Sequence, residues 1–266
     1  VSKQLPFSGL WAVILGGSSG FGLAAVEKLA ANGMNIAVLY REPSAQAKKA
    51  NETFTGLAIK NNVKILAYNL NVLDNASRGS FIKEFNTADK KGKVKLLLHS
   101  VARGNLKPLI ADDEQALLTT EDIQMTSYAM ANSLLDWTRD ILAAKLFHED
   151  GRIIGLTSEG VNKHWDAYAA VAIAKASLQS LTTYMAVEFA PYGLKTNLIQ
   201  AGITNTAALQ KIPGSDKLVE IAQTRNPLKR MTMPQDVANV IYLLCTDEAA
   251  WINGSLIHVD GGEHCR

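Results

Sequence analysis

Short apolar runs rich in β-branched residues alternate along this chain with longer stretches whose apolar positions recur at helical spacing. Trp11–Leu15 and Asn35–Tyr40 begin the series, followed by Val63–Tyr68, Val94–His99, Arg152–Thr157, Leu194–Ile199 and Ser255–Val259. Brief, nearly continuous apolar runs are what strands covered on both faces require, because neither face of such a strand meets water. Between them, helical patterning spans about 20–32, 44–57, 75–87, 119–147, 167–190 and 234–246, the last opened by Pro234 and Asp236, residue types that favour a helix start. This alternation predicts βαβ units in a doubly wound α/β fold, a seven-stranded parallel sheet with helices on both faces. One stretch, about 203–233, breaks the rhythm: it is polar and carries Pro213-Gly214. It lies between a strand and a helix, where α/β sheets build substrate lids. No repeat or Pro/Gly-rich linker divides residues 1–266, so one domain is expected.

Composition removes several function classes. With 47% hydrophobic and 20% charged residues and a formal net charge of +2, the chain offers no electrostatic case for binding nucleic acid. Lys90, Lys91, Lys93 and Lys95 surround Gly92 and read as a solvated turn. Cys245 and Cys265 are too far apart for a metal motif and too few for a disulfide framework, which points to a reducing, cytoplasmic setting. His258 and His264 have no partners at metal-ligand spacing, so no metal is expected. The stretch Val1 to Phe7 lacks an apolar core for a secretory signal, and no run of about 18 apolar residues occurs, so neither export nor a membrane span is expected.

Directly after the first strand comes Gly16-Gly17-Ser18-Ser19-Gly20-Phe21-Gly22, and a helical pattern follows at once. Glycines there let the backbone turn sharply and approach a pyrophosphate, and the free amides of a helix start favour that anion. A Gly-rich run alone is weak evidence; between a first strand and a first helix it predicts a dinucleotide site of Rossmann type. At the end of the second strand stand Tyr40-Arg41-Glu42. Arg41, helped by Ser18 and Ser19, would pair with the extra phosphate of NADPH, whereas Glu42 could take the ribose hydroxyls of NADH.

The candidate reaction centre is Tyr168, followed seven positions later by Lys175 with only small or apolar residues between. Seven positions are almost two helical turns, so both side chains project from nearly one face. A tyrosine near a fixed ammonium can donate to an oxygen on which negative charge develops, the ammonium helping its proton leave. A half-buried helix tyrosine and a lysine snorkelling to water would look the same in isolation.

Together these features resemble the short-chain dehydrogenase/reductase family over nearly the whole chain. The match includes Gly16-x3-Gly20-x-Gly22, Asn71-Val72 after the third strand, Ala201-Gly202-Ile203-Thr204-Asn205-Thr206 after the sixth, and Val259-Asp260-Gly261-Gly262. Most members separate the catalytic tyrosine and lysine by three residues; the six-residue gap here resembles the enoyl-acyl carrier protein reductase branch, as do His99-Ser100-Val101-Ala102 and Thr126-Ser127-Tyr128. The segment Gly202 to Leu209 and Pro227 to Arg230 is most similar to the NADPH-preferring type.

The resemblance implies an NAD(P)H-dependent reduction of a trans-2-enoyl thioester carried on acyl carrier protein, in a homotetramer packed through the helices near 119–147 and 167–190. It implies Tyr168 as donor to the thioester oxygen and Lys175 on the nicotinamide ribose. Cofactor contacts would come from Gly16, Ser18, Ser19, Gly20, Phe21, Tyr40 and Arg41, from Asn71 and Val72, and from Ser100, Val101 and Ala102. Thr157, Gly202, Ile203, Thr204 and Thr206 complete that set. One position departs: a second aromatic residue is usual ten positions before the tyrosine, and here Ser158 stands there, followed by Glu159. Ser158 would bond substrate as in ordinary family members, and Glu159 is expected to face solvent. Were Glu159 to line the pocket, a polar or cationic substrate would gain favour. A ketone or imine reductase on the same fold, or an NADPH-sensing scaffold without catalysis, remain the alternatives.

Overall fold

The computed structural model describes residues 5–113 and 116–266; residues 1–4, part of the stretch read for a leader, lie outside the described residues. A seven-stranded sheet is built from β1 (Trp11–Leu15), β2 (Asn35–Tyr40), β3 (Ile65–Asn69), β4 (Val94–His99), β5 (Phe147–Thr157), β6 (Leu194–Ala201) and β7 (Leu256–Val259). Its strand order is β3-β2-β1-β4-β5-β6-β7, and each neighbouring pair is parallel. The order reverses between β1 and β4, so a crevice opens at their carboxyl ends.

The helices are α1 (Gly20–Ala30), α2 (Ser44–Asn61), α3 (Asn75–Phe85), α4 (Thr120–Ser127), α5 (Ser133–Ala143), α6 (Ala169–Glu188), α7 (Ser215–Arg225) and α8 (Pro234–Cys245). Strand alternation feeds two cores. Ala12 and Ile14 of β1 join residues of α1 and α8 on one face, while Trp11, Val13 and Leu15 join residues of α3, α5 and α6 on the other. Among the described residues no helix is long and apolar enough to cross a membrane.

Two expectations need correction. The helix expected over 119–147 is interrupted by a π turn at Tyr128–Asn132 and ends at Ala143. Lys145 takes a left-handed conformation, φ 56°, and Phe147 already pairs with Val94 as the start of β5. Apolar content across Leu142 to Phe147 hid this boundary, since a buried strand start and a helix end look alike in composition. The segment 203–233, expected as lid without its own helix, contains α7. Pro213-Gly214 breaks the chain ahead of it, with Gly214 at φ 74° as the capping residue. Leu218, Val219 and Ala222 then pack on Ile203, Leu209 and Ile212, so a short apolar stripe on a polar helix is enough once tertiary contacts are available.

At the amino end of β5, one carboxylate organises three cations. Asp150 accepts from Lys95 at 2.7 Å, from Arg152 through two nitrogens and from Lys195, and the Lys95 and Arg152 side chains are almost wholly buried. These cations hold the Asp150 carboxyl well below the usual carboxylate range against the opposing effect of burial. Since the folded value is depressed, this contribution is complete at neutral pH and is lost as pH falls below the unfolded value of about 3.9. Asp150→Asn removes the carboxylate that two buried cations share, leaving Lys95 only the exposed Asp247 at 3.9 Å; we expect it to cost about 3 kcal/mol, read by chemical denaturation at pH 7. A loss under about 1 kcal/mol would reduce the cluster to a surface-type ion pair.

Candidate active site

The first βα turn meets β4 at the switch point. Gly16, at φ 84°, approaches so closely that a Cβ there would lie 2.3 Å from the Ser100 carbonyl oxygen, and a Cβ on Gly22 would lie 2.1 Å from the Gly16 oxygen. Only glycine fits either position. Ser19 precedes α1 without making a side-chain cap, and the first turn carries no acid, so the helix amides point uncommitted into the crevice. That arrangement suits a pyrophosphate.

A cavity of about 260 Å³ runs from this turn across the carboxyl ends of the sheet. Gly16, Ser19, Gly20, Phe21, Ser100, Val101, Ala102, Thr157, Ser158, Tyr168, Lys175, Gly202, Ile203, Thr204 and Thr206 all line it. Residues separated by more than a hundred positions are thus brought together as expected. Ser18, Tyr40, Arg41, Asn71 and Val72 are not among its lining. Tyr40 is a core residue, packed on Phe54 with its hydroxyl donated to Asn51 at 3.0 Å. The Val72 carbonyl accepts from the Trp137 indole at 2.8 Å, and the Asn71 side chain accepts from the Leu73 amide. Ser18 donates to Glu42 at 2.8 Å, while Arg41 is exposed.

Tyr168 sits at the mouth of α6 as its N-cap residue, not within the helix, but its carbonyl accepts from Ala172 at 2.9 Å, so it belongs to the first turn. Its ring packs against Trp165 at 4.8 Å and over Gly160, where a Cβ would lie 2.6 Å from the ring. The hydroxyl donates to Ser158 Oγ at 3.2 Å. Burial holds the Tyr168 pKa above its ordinary value, opposed by the Ser158 bond. The lowering expected from Lys175 is not seen; desolvation sets the direction. Lys175 is itself buried, which pushes its ammonium down to about 8.

His99, at the end of β4 and part of the His99–Ala102 match, does not line the cavity but lies buried behind it. Its Nε2 lies 2.8 Å from Ser133 Oγ, and burial, then the Lys175 charge, push it down to about 3. It is therefore neutral at physiological pH. Glu159 corrects an expectation: it is buried, lines the cavity and is paired with Lys163 at 2.6 Å and with Arg225. His164 is exposed, whereas Trp165 lines the cavity. Among the described residues no group of His, Cys, Asp or Glu side chains is placed to hold a metal.

A family model described as enoyl-(acyl carrier protein) reductase matches residues 16–264. The chain belongs to the short-chain dehydrogenase/reductase family. It is similar to a probable 2,4-dienoyl-CoA reductase of Bacillus subtilis, 29% identical over 94% of this chain and 95% of that one. It is equally similar to a 3-oxoacyl-[acyl-carrier-protein] reductase of Escherichia coli, 29% identical over 96% and 98% of the two chains. The crystal structure of the NADH enoyl-[acyl-carrier-protein] reductase of Aquifex aeolicus superposes with a TM-score of 0.83 at 25% identity, covering 98% of each chain. The protein is thus an oxidoreductase of this family, using NAD(P)H. A bound nicotinamide dinucleotide would be held by the Gly16–Gly22 turn and by Lys175, and would supply hydride.

The buried ammonium makes a two-sided expectation. Its folded pKa of about 8 lies below the unfolded value of about 10.4, so the charge opposes folding fully below pH 8 and ceases to do so as pH approaches the unfolded value. Lys175→Met should raise the melting temperature at pH 7, the gain shrinking as pH rises toward about 10, while NAD(P)H affinity, followed by cofactor fluorescence, falls. In the unsubstituted protein the same affinity should decline as pH passes about 8. A melting temperature lowered by the substitution would contradict the charge burial.

Proposed function

We propose that this protein reduces the carbon–carbon double bond of trans-2-enoyl thioesters carried on acyl carrier protein, in the cytoplasm, with NADPH as reductant. The observation that carries this reading is Tyr168 and Lys175 lining one cavity at a seven-residue separation. With lysine fixed on the cofactor ribose, a seven-residue gap moves the tyrosine almost a turn further along the helix than a four-residue gap does. A ketone needs its oxygen beside the carbon receiving hydride; an enoyl thioester needs it two atoms further off. The spacing suits the second case.

Hydride addition at the β-carbon places negative charge on the thioester oxygen. Tyr168, protonated because burial holds its pKa up, donates to that oxygen from a ring immobilised by Trp165 and Gly160. A preorganised donor at developing charge is worth about 3 kcal/mol. Ser158 keeps the tyrosine hydroxyl beside it, and neutral His99, bonded to Ser133, adds no second positive charge next to Lys175. Met130, Val171, Ile203, Leu209 and Ile212 give the far wall an apolar lining fit for an acyl chain. A homotetramer packed through α4–α5 and α6 belongs to the same reading, and the outer face of α6 leaves Tyr184 and Val187 exposed.

Arg41, exposed at the end of β2, supports NADPH through a 2′-phosphate contact. The Ser18–Glu42 hydrogen bond favours NADH as the second reading, since it fixes a carboxylate beside the turn. The Ser158–Tyr168 pair in turn favours a ketone reductase as the rival reaction.

Mixing the protein with NADPH and crotonyl thioester should consume the cofactor's absorbance, and reduction of keto thioesters alone would refute the enoyl assignment. Tyr168→Phe should lower kcat about 100-fold while leaving NADPH affinity near normal. Arg41→Ala should weaken NADPH much more than NADH; equal losses would reject the phosphate contact.

A further inference from the structure

Arg225 closes α7 and reaches back to two carboxylates on unrelated segments, both of which line the cavity. One nitrogen, Nη2, donates both to Glu159 and, at 2.9 Å, to Glu263. Glu263 is 1% exposed, Glu159 is 9% exposed, and Glu159 shares a second cation, Lys163. Beside them Asn226, 2% exposed, donates to the Asp260 carbonyl at 2.8 Å. The carboxyl end of α7 is therefore fastened to the turn after β5 and to the chain following β7.

Packing alone would not favour such a cluster. Arg225 Nε and Glu263 Oε2 are buried without a hydrogen-bond partner among the described residues, and hydrocarbon of equal volume would usually be as stable as a buried charge network left incomplete. Its position supplies the reason for keeping it. Glu159 lies between Ser158, which receives the Tyr168 hydroxyl, and Gly160, on which the Tyr168 ring rests. Any displacement of Glu159 is passed to both contacts that orient the tyrosine.

We infer that Arg225 is a positioning residue that makes seating of α7 and alignment of Tyr168 a single event. Ile203, Leu209 and Ile212 bring the apolar side of the 203–233 segment over the substrate cavity, and the Arg225–Glu159 pair turns that closure into a fixed Ser158–Gly160 turn. Glu159 thus lines the pocket without presenting a free charge to substrate, because Arg225 and Lys163 neutralise it. The catalytic part of this inference rests on the reductase reading above; the mechanical coupling does not.

The test compares the unsubstituted protein with Arg225→Gln and Arg225→Lys, by hydrogen exchange in the presence of saturating NADPH and by enoyl thioester kinetics. Arg225→Gln should speed exchange in 215–226 and also in 158–162, lower kcat about tenfold and leave NADPH affinity within about twofold. Arg225→Lys, which keeps one charged nitrogen for both carboxylates, should restore slow exchange at 158–162 and most of kcat. Faster exchange confined to 215–226, or a raised KM with unchanged kcat, would overturn the coupling, as would a lysine variant no better than glutamine. Should Arg225→Gln fail to fold, Glu159→Gln breaks the same link while Arg225 keeps Glu263, and the same two exchange regions decide the outcome. If the unsubstituted protein turns over no enoyl thioester, the reductase reading falls, while exchange at 158–162 still decides the coupling.

Discussion

The approach of Gly16 to the Ser100 carbonyl is the constraint on which the rest of the site depends. Because these two backbones touch at the end of β1 and β4, the crevice between them has a fixed width, and α1 starts with its amides aimed across it. Every element further along the cavity is placed relative to that contact. β4 ends on His99 at the same level as Leu15, β5 delivers Ser158 one strand over, and α6 begins where Tyr168 can reach it. A side chain at position 16 would separate the strands at the point where their hydrogen bonding has to carry the whole arrangement.

The site also shows how burial divides ionisable groups among different duties. Lys175 and His99 are both enclosed, yet desolvation leaves the lysine titrating near 8 and the histidine near 3. At neutral pH one is charged and the other is not, so of this pair only Lys175 brings a positive charge to the cavity. Tyr168 is shifted the other way and keeps its proton. Scarcity of water is the first cause in each case, joined for His99 by the Lys175 charge and opposed for Tyr168 by the Ser158 bond.

Much of this was legible in the chain before folding was considered. Strand positions could be read because both faces of the sheet are covered, which makes β1, β2 and β4 nearly uninterrupted apolar runs. The glycine turn and the tyrosine–lysine spacing were legible because each is a local geometric requirement. What escaped is non-local. α7 is stabilised by a narrow stripe against residues six to nineteen positions away, and the break after Ala143 is hidden in apolar residues that suit either state. Glu159 looked like a surface residue because its cations, Lys163 and Arg225, could not be placed beside it from spacing alone. Tyr40 ends its strand as a cofactor contact would, but Phe54 and Asn51 on α2 claim its ring and hydroxyl.

The π turn at Tyr128–Asn132 has a consequence for reading this helix against straight ones. A π turn holds one residue more than the α-helical turn it replaces, so α4 and α5 are out of phase by about 100°. Upstream, Thr126 faces the Asn105 amide, and downstream, Trp137 reaches the Val72 carbonyl; both alignments hold only with the extra residue in place. A comparison with an uninterrupted helix must therefore open a one-residue gap within 128–132, or every position on one side of it will be equated with the wrong neighbour. Removing one residue there would leave two intact helices and turn one set of contacts away from its partners.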